Sequence, residues 1–107
     1  MNARRRFIDE VNLIVRESSA LANSIRVMIL AVVAFKGEAS WHEIRDFVEG
    51  FVGDVNPNTL AFHINRLAEA GYIARVGPRR SPKYLAKVIP ERITSLFKYL
   101  KAILEEE

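Results

Sequence analysis

Between Asn58 and Arg66 the chain sets Asn58, Thr59, Phe62, Asn65 and Arg66 at intervals that suit one side of a helix. The residues between and beyond them, Leu60, Ile64 and Leu67, make an apolar stripe, so the polar group falls on or near the outward face. The chemistry open to such a face is paired hydrogen bonding. An asparagine amide offers a donor beside an acceptor, and a guanidinium offers a fork of donors. These match base-pair edges in a major groove: arginine to guanine, asparagine to adenine, a threonine methyl or an aromatic ring to thymine. Phe62 needs a partner, because a large aromatic among polar neighbours is otherwise left in water. His63, just before the inward Ile64, is placed to make a hydrogen bond or to touch a phosphate.

A second group lies a short way on. Arg79, Arg80 and Lys83 surround a tip held by Pro78 and Pro82, and a pre-ordered tip lowers the entropy cost of setting cations against phosphates or in a minor groove. From Asn56 to Val88 the chain carries a net +5, and the remainder carries −2. The formal total is +3 and the pI about 9.5. A polyanionic partner would meet this segment first. The alternative is a solvated basic surface on a fold that binds protein.

The elements that must position these groups follow from periodicity and caps. Phe7, Ile8, Val11, Ile14 and Val15 predict an amphipathic helix from about Ala3 to Ser19, with Leu13 off the stripe. Asn23 or Ser24 caps a second helix, and its nearly all-round apolarity puts it at the centre of the domain. Gly37 ends it. Ser40-Trp41-His42-Glu43 is a capping box that opens a third helix, with Trp41 as a core anchor. Asn56-Pro57 is an N-cap with proline at the first helical position, opening a fourth that Gly71 closes. Tyr72–Val76 and Lys83–Val88 then read as a hairpin, and Pro90 opens a last helix running to the acidic end. The fold class expected is α+β, mostly helical, in one domain of 107 residues.

Helix, turn, helix and basic hairpin in that order is the winged-helix arrangement. The run Asn58 to Ile73 resembles the recognition helix and following strand of the ArsR and MarR superfamily of prokaryotic regulators, through Thr59, His63, Leu67 and Glu69-Ala70-Gly71. The likeness covers roughly Ser24 to Val88, and the flanking helices make it similar to small archaeal regulators of that kind. It implies a winged helix-turn-helix core over 24–88, a terminal helix over 1–20 and another over 90–107. It also implies a dimeric regulator of transcription, expected to be a repressor, bound to double-stranded DNA through Asn58, Thr59, Phe62, His63, Asn65, Arg66, Arg79, Arg80 and Lys83. Metal-sensing members hold ions through cysteines or through His and carboxylate groups on the last helix. This chain has no Cys and no His beyond His42 and His63, so metal sensing is not carried over and no cofactor is expected.

The last helix carries Ile93, Leu96, Phe97, Leu100, Ile103 and Leu104 as a continuous seam. With Phe7, Val11 and Ile14 of the first helix this is more apolar surface than a small domain easily covers, so a homodimer through these side chains is expected. No nucleophile, acid/base constellation or phosphate-binding glycine loop is present, which argues against an enzyme. The start Met1–Arg6 runs into Asp9 and Glu10 and does not make a signal peptide. The longest apolar stretch, Val27–Phe35, is about half the length that crosses a bilayer, so a cytoplasmic protein is expected. The alternative function is a winged helix used for protein contact in transcription or replication machinery.

Overall fold

The computed structural model describes residues 2–18 and 21–106. The expected loosening at Ser19 and the acidic end at Glu107 lie outside the described residues. Helix α1 spans Ala3–Glu17, capped by Asn2, whose side chain accepts from Arg4 N at 2.9 Å. Its buried face is Phe7, Val11 and Ile14. Leu13 is off that face and 39% exposed. Arg4, Arg5 and Arg6 therefore lie within the helix.

Helix α2 spans Ser24–Lys36. Asn23 is its cap, its Oδ1 accepting from Ile25 N at 2.9 Å and Arg26 N at 3.2 Å. Every residue from Val27 to Ala34 is buried, which no surface helix could show. α2 is the axle around which the other elements pack. Gly37 stops it at φ 82°, a left-handed conformation that glycine takes without a Cβ penalty.

Strand β1, Glu38–Ser40, was not anticipated. It is three residues long, too short to show a period, and its partner is β3, Lys83–Ala86, far along the chain. Ala39 faces Tyr84 and Ser40 faces Lys83 in the antiparallel register. Strand β2, Ile73–Val76, pairs on the other side of β3, giving a three-stranded antiparallel sheet in the order β1-β3-β2. The protein is thus an α+β fold around one hydrophobic cluster. No helix among the described residues is long and apolar enough to cross a membrane.

Helix α3, Trp41–Val52, opens on the expected capping box: Glu43 N donates to Ser40 Oγ at 3.1 Å, and Ser40 N donates to Glu43 Oε1 at 3.0 Å. Helix α4, Pro57–Glu69, starts at the Asn56 cap and ends in a Schellman closure. There Tyr72 N reaches Leu67 O at 3.0 Å and Gly71 N reaches Ala68 O at 3.1 Å, with Gly71 at φ 86°.

The C-terminal segment departs from expectation in two ways. It is not one helix but α5, Glu91–Thr94, and α6, Phe97–Glu105, with Ser95 and Leu96 between them. Thr94 Oγ1 donates to Glu91 O and Ser95 Oγ to Arg92 O, both at 2.7 Å, and side-chain bonds of this kind compete with the helical ladder. The second departure concerns the seam. Phe7, Val11, Ile14, Ile93, Leu96, Leu100 and Ile103 are buried within the single chain, so they are core and not a dimer interface. The reason is that α1 packs along α6 while α2 covers α5, closing a stripe that looks unpartnered in sequence. Phe97 and Leu104 are half-buried, and Phe97 meets Phe35 edge-on at 5.4 Å.

Candidate nucleic-acid interface

The turn between α3 and α4 is built by a carboxylate. Glu49, in the last turn of α3, accepts from Val55 N at 2.9 Å and from Arg45 Nε at 3.4 Å. That backbone bond, more than Arg45, holds its carboxyl below the usual range. Val55 is buried beside it, so the residue before the Asn56 cap is fixed and α4 leaves the turn in a set direction. Asn56 Oδ1 then accepts from Asn58 N at 2.8 Å.

On α4 the faces separate as the spacing predicts. Leu60, Ile64 and Leu67 are buried, while Asn58, Thr59, Asn65 and Arg66 are exposed and Phe62 is 49% exposed. His63 does not join them. It is 7% exposed, and its Nδ1 accepts from Arg26 Nε at 3.1 Å, so it is not itself on the outward face and meets the surface only through Arg26. Burial first, and the Arg26 charge second, push its pKa down, which favours the neutral ring that this acceptor role requires. The helical spacing already hints at this: His63 lies one turn from Leu67 and next to Ile64.

The hairpin brings its cations to the same side as Asn65. Gly77 turns at φ 86°, Ser81 N closes onto Pro78 O at 3.1 Å, and Arg75 Nη2 donates to Arg79 O at 3.2 Å. The tip is therefore ordered by its own backbone and by a side chain from β2. Arg79 and Arg80 are exposed, and Lys83 is half-buried at the start of β3. A groove of about 510 Å³ runs between α4, the hairpin and the start of α3, lined among others by Trp41, Asn65, Arg75, Arg80 and Pro82. Trp41 is half-buried: it packs against the core as expected and also lines the groove. Arg75, which the sequence offers only as one cation of the basic segment, is part of this surface.

Arg26 is the other residue that sequence reasoning missed. It lies in the first turn of α2, where a cation opposes the helix dipole. Its Cζ is 5.8 Å from the Phe62 ring centroid, and Arg66 Cζ is 5.2 Å from the same centroid. Arg26 and Arg66 line one open cleft together with Glu69 and Ala70. Neither guanidinium forms an ion pair among the described residues. The available signal was the unfavourable placement itself, a basic residue where an acid is preferred.

No protein-family model matches the chain, and neither does any curated protein or any solved structure.

Proposed function

We propose that the protein binds duplex DNA and regulates transcription, with residues 24–88 acting as a winged helix-turn-helix: α3 and α4 as the helix pair, and β2–β3 as the wing. The observation that carries the reading is the groove shared by Asn65 of α4 and Arg75 and Arg80 of the hairpin. A helix with exposed amide and hydroxyl side chains stands beside an ordered loop of cations. The first suits base edges and the second suits phosphates. The superfamily likeness of Thr59, His63, Leu67 and Glu69–Gly71 supports the same reading, with the bound protein acting as a repressor.

The apolar seam of the terminal helices is buried within the single chain, so the reading takes one chain as the DNA-binding unit. The test is a mobility-shift titration on random and on selected duplexes across salt concentrations. Binding that falls steeply with salt is expected, since phosphate neutralisation releases counterions. A second reading, a winged helix that contacts protein, is favoured by Val88 and Ile89, which are 53% and 41% exposed just beyond β3. It predicts no salt-dependent association with duplex.

A further inference from the structure

We infer that Arg26 and Arg66 clamp one backbone phosphate of the bound duplex, and that His63 is a positioning residue that holds Arg26 in the clamp. The inference rests on the DNA-binding reading and names a contact that reading does not contain.

The cluster is built from the inside outward. Tyr84 aside, His63 is the one polar side chain buried among the described residues, and a buried polar group needs a partner. Its partner is Arg26 Nε, which fixes the guanidinium plane and leaves both terminal nitrogens for another acceptor. Phe62 supplies the floor: the two guanidinium carbons lie 5.8 and 5.2 Å from its ring centroid. The aromatic thus gathers two cations that would otherwise repel, and both open on the cleft that Glu69 and Ala70 complete. Glu69 is exposed and makes no ion pair with either among the described residues. One held fork and one exposed fork, neither ion-paired among the described residues, around one cleft suit a group with several anionic oxygens.

Position on the helix selects the backbone over a base. Helix-turn-helix proteins contact base edges from the N-terminal part of the recognition helix, whereas Arg66 lies in the last turn of α4. Arg26 belongs to another helix altogether. Arg66 is thereby moved from the guanine-reading role that its residue type suggests to a phosphate-binding one.

The experiment measures duplex affinity against salt for wild type, Arg26→Ala, Arg66→Ala, the double variant, His63→Gln and His63→Leu, with circular dichroism confirming the fold of each. Wild type must first bind duplex with salt dependence; if it does not, the DNA reading and the clamp fall together. Given that binding, each arginine variant should lose affinity by the same factor on selected and random duplexes. Each should also lower the salt slope by at most about 0.9, the value for one phosphate. The double variant should lower it by about 0.9 in all and not by twice that, because both groups serve one phosphate. His63→Gln keeps an acceptor for Arg26 and should bind nearly as wild type. His63→Leu should lose what Arg26→Ala loses, and should cost nothing further when added to it. Loss confined to the selected duplex for Arg66→Ala would make it a base reader, and unchanged binding by Arg26→Ala would remove the clamp. Inorganic phosphate, titrated against sodium chloride of equal ionic strength, separates the sources. Specific competition at low millimolar phosphate would assign the cleft to the free anion and overturn the backbone contact.

Discussion

Among the described residues three arginines lie over a phenylalanine ring, and two of them, Arg4 and Arg26, differ in what else they meet. Arg4 Cζ lies 4.2 Å from the Phe51 centroid, and its Nη2 donates to Gly50 O at 2.6 Å. Gly50 is in the last turn of α3, where carbonyls lack helical partners and a cation is favoured, and α3 has no basic residue of its own there. Arg4 therefore closes a helix end and ties α1 to α3. Arg26 sits at the end of α2 that disfavours a cation, shares Phe62 with a second arginine, and is held by a histidine. The contacts of the first stack join two helices of the fold. Neither Arg4 nor Arg26 forms an ion pair among the described residues, but Arg4 meets a helix C-terminus whereas Arg26 meets a neutral imidazole and a second cation, and the proposed phosphate contact rests on that difference.

The contrast extends to the surroundings. Beside Arg4, Phe7 packs on Phe47 and Phe51 at 5.8 and 5.2 Å, and the terminal helices close the seam. The largest predicted effect lies there: Leu96→Asp should unfold the chain, because a charge at a site 0% exposed loses several kcal/mol that nothing nearby repays. Thermal denaturation and light scattering check it. A folded monomer produced from a wild-type dimer would show instead that the seam is an interface between chains.

The next prediction sets the two stacks against each other. Arg4→Ala should cost about 1 kcal/mol of stability, the partly exposed site taking it below the range for buried charged hydrogen bonds, and should leave duplex affinity nearly unchanged. Arg66→Ala should do the reverse, binding DNA more weakly with the denaturation midpoint unmoved. Urea titration and a shift assay on the same samples give both readouts. Equal stability losses would erase the distinction drawn here.

The wing supplies a comparison within the binding surface. Arg79→Ala with Arg80→Ala should weaken binding to all duplexes alike and lower the salt slope by up to about two per chain. Asn58→Ala should instead narrow the difference between the selected and random duplexes, by about 1–3 kcal/mol if it reads a base. A selected site that keeps its advantage over random DNA in Asn58→Ala would remove that residue from the reading set.

Legibility in the sequence follows the range of the interaction. Asn23, the Ser40–Glu43 box, Asn56-Pro57 and Gly71 act on their own neighbourhoods, and each marks the helix boundary that the structure shows. The outward face of α4 is equally plain, since period alone sorts Leu60 and Ile64 from Thr59 and Asn65. Strand β1 was hidden because its three residues gain meaning only from β3. Arg26 was hidden because its role arises where α2 crosses α4. The terminal stripe was visible, but spacing says that a face is buried and not by what.

The smallest predicted effect concerns the N-terminus of α3, the opposite end of the helix that Arg4 closes. Glu43 is held at about 2 against an ordinary 4.5, first by the Lys36 hydrogen bond at 2.7 Å and then by the Ser40 N–H. A carboxyl depressed on folding stabilises the native state fully above its unfolded value and loses that contribution as pH falls through the folded one. The window is therefore pH 4.5 down to about 2. Its side chain is 41% exposed, so water screens the pair and the contribution is under about 1 kcal/mol. Glu43→Gln keeps an oxygen for Ser40 N but loses the charge. The variant should be slightly less stable at neutral pH, and the two proteins should converge as the solution is acidified through that window. Duplex affinity should not change, because Glu43 serves the same stabilising end of the comparison as Arg4. Stability curves that stay parallel down to pH 2 would show that the Lys36–Glu43 pair contributes nothing.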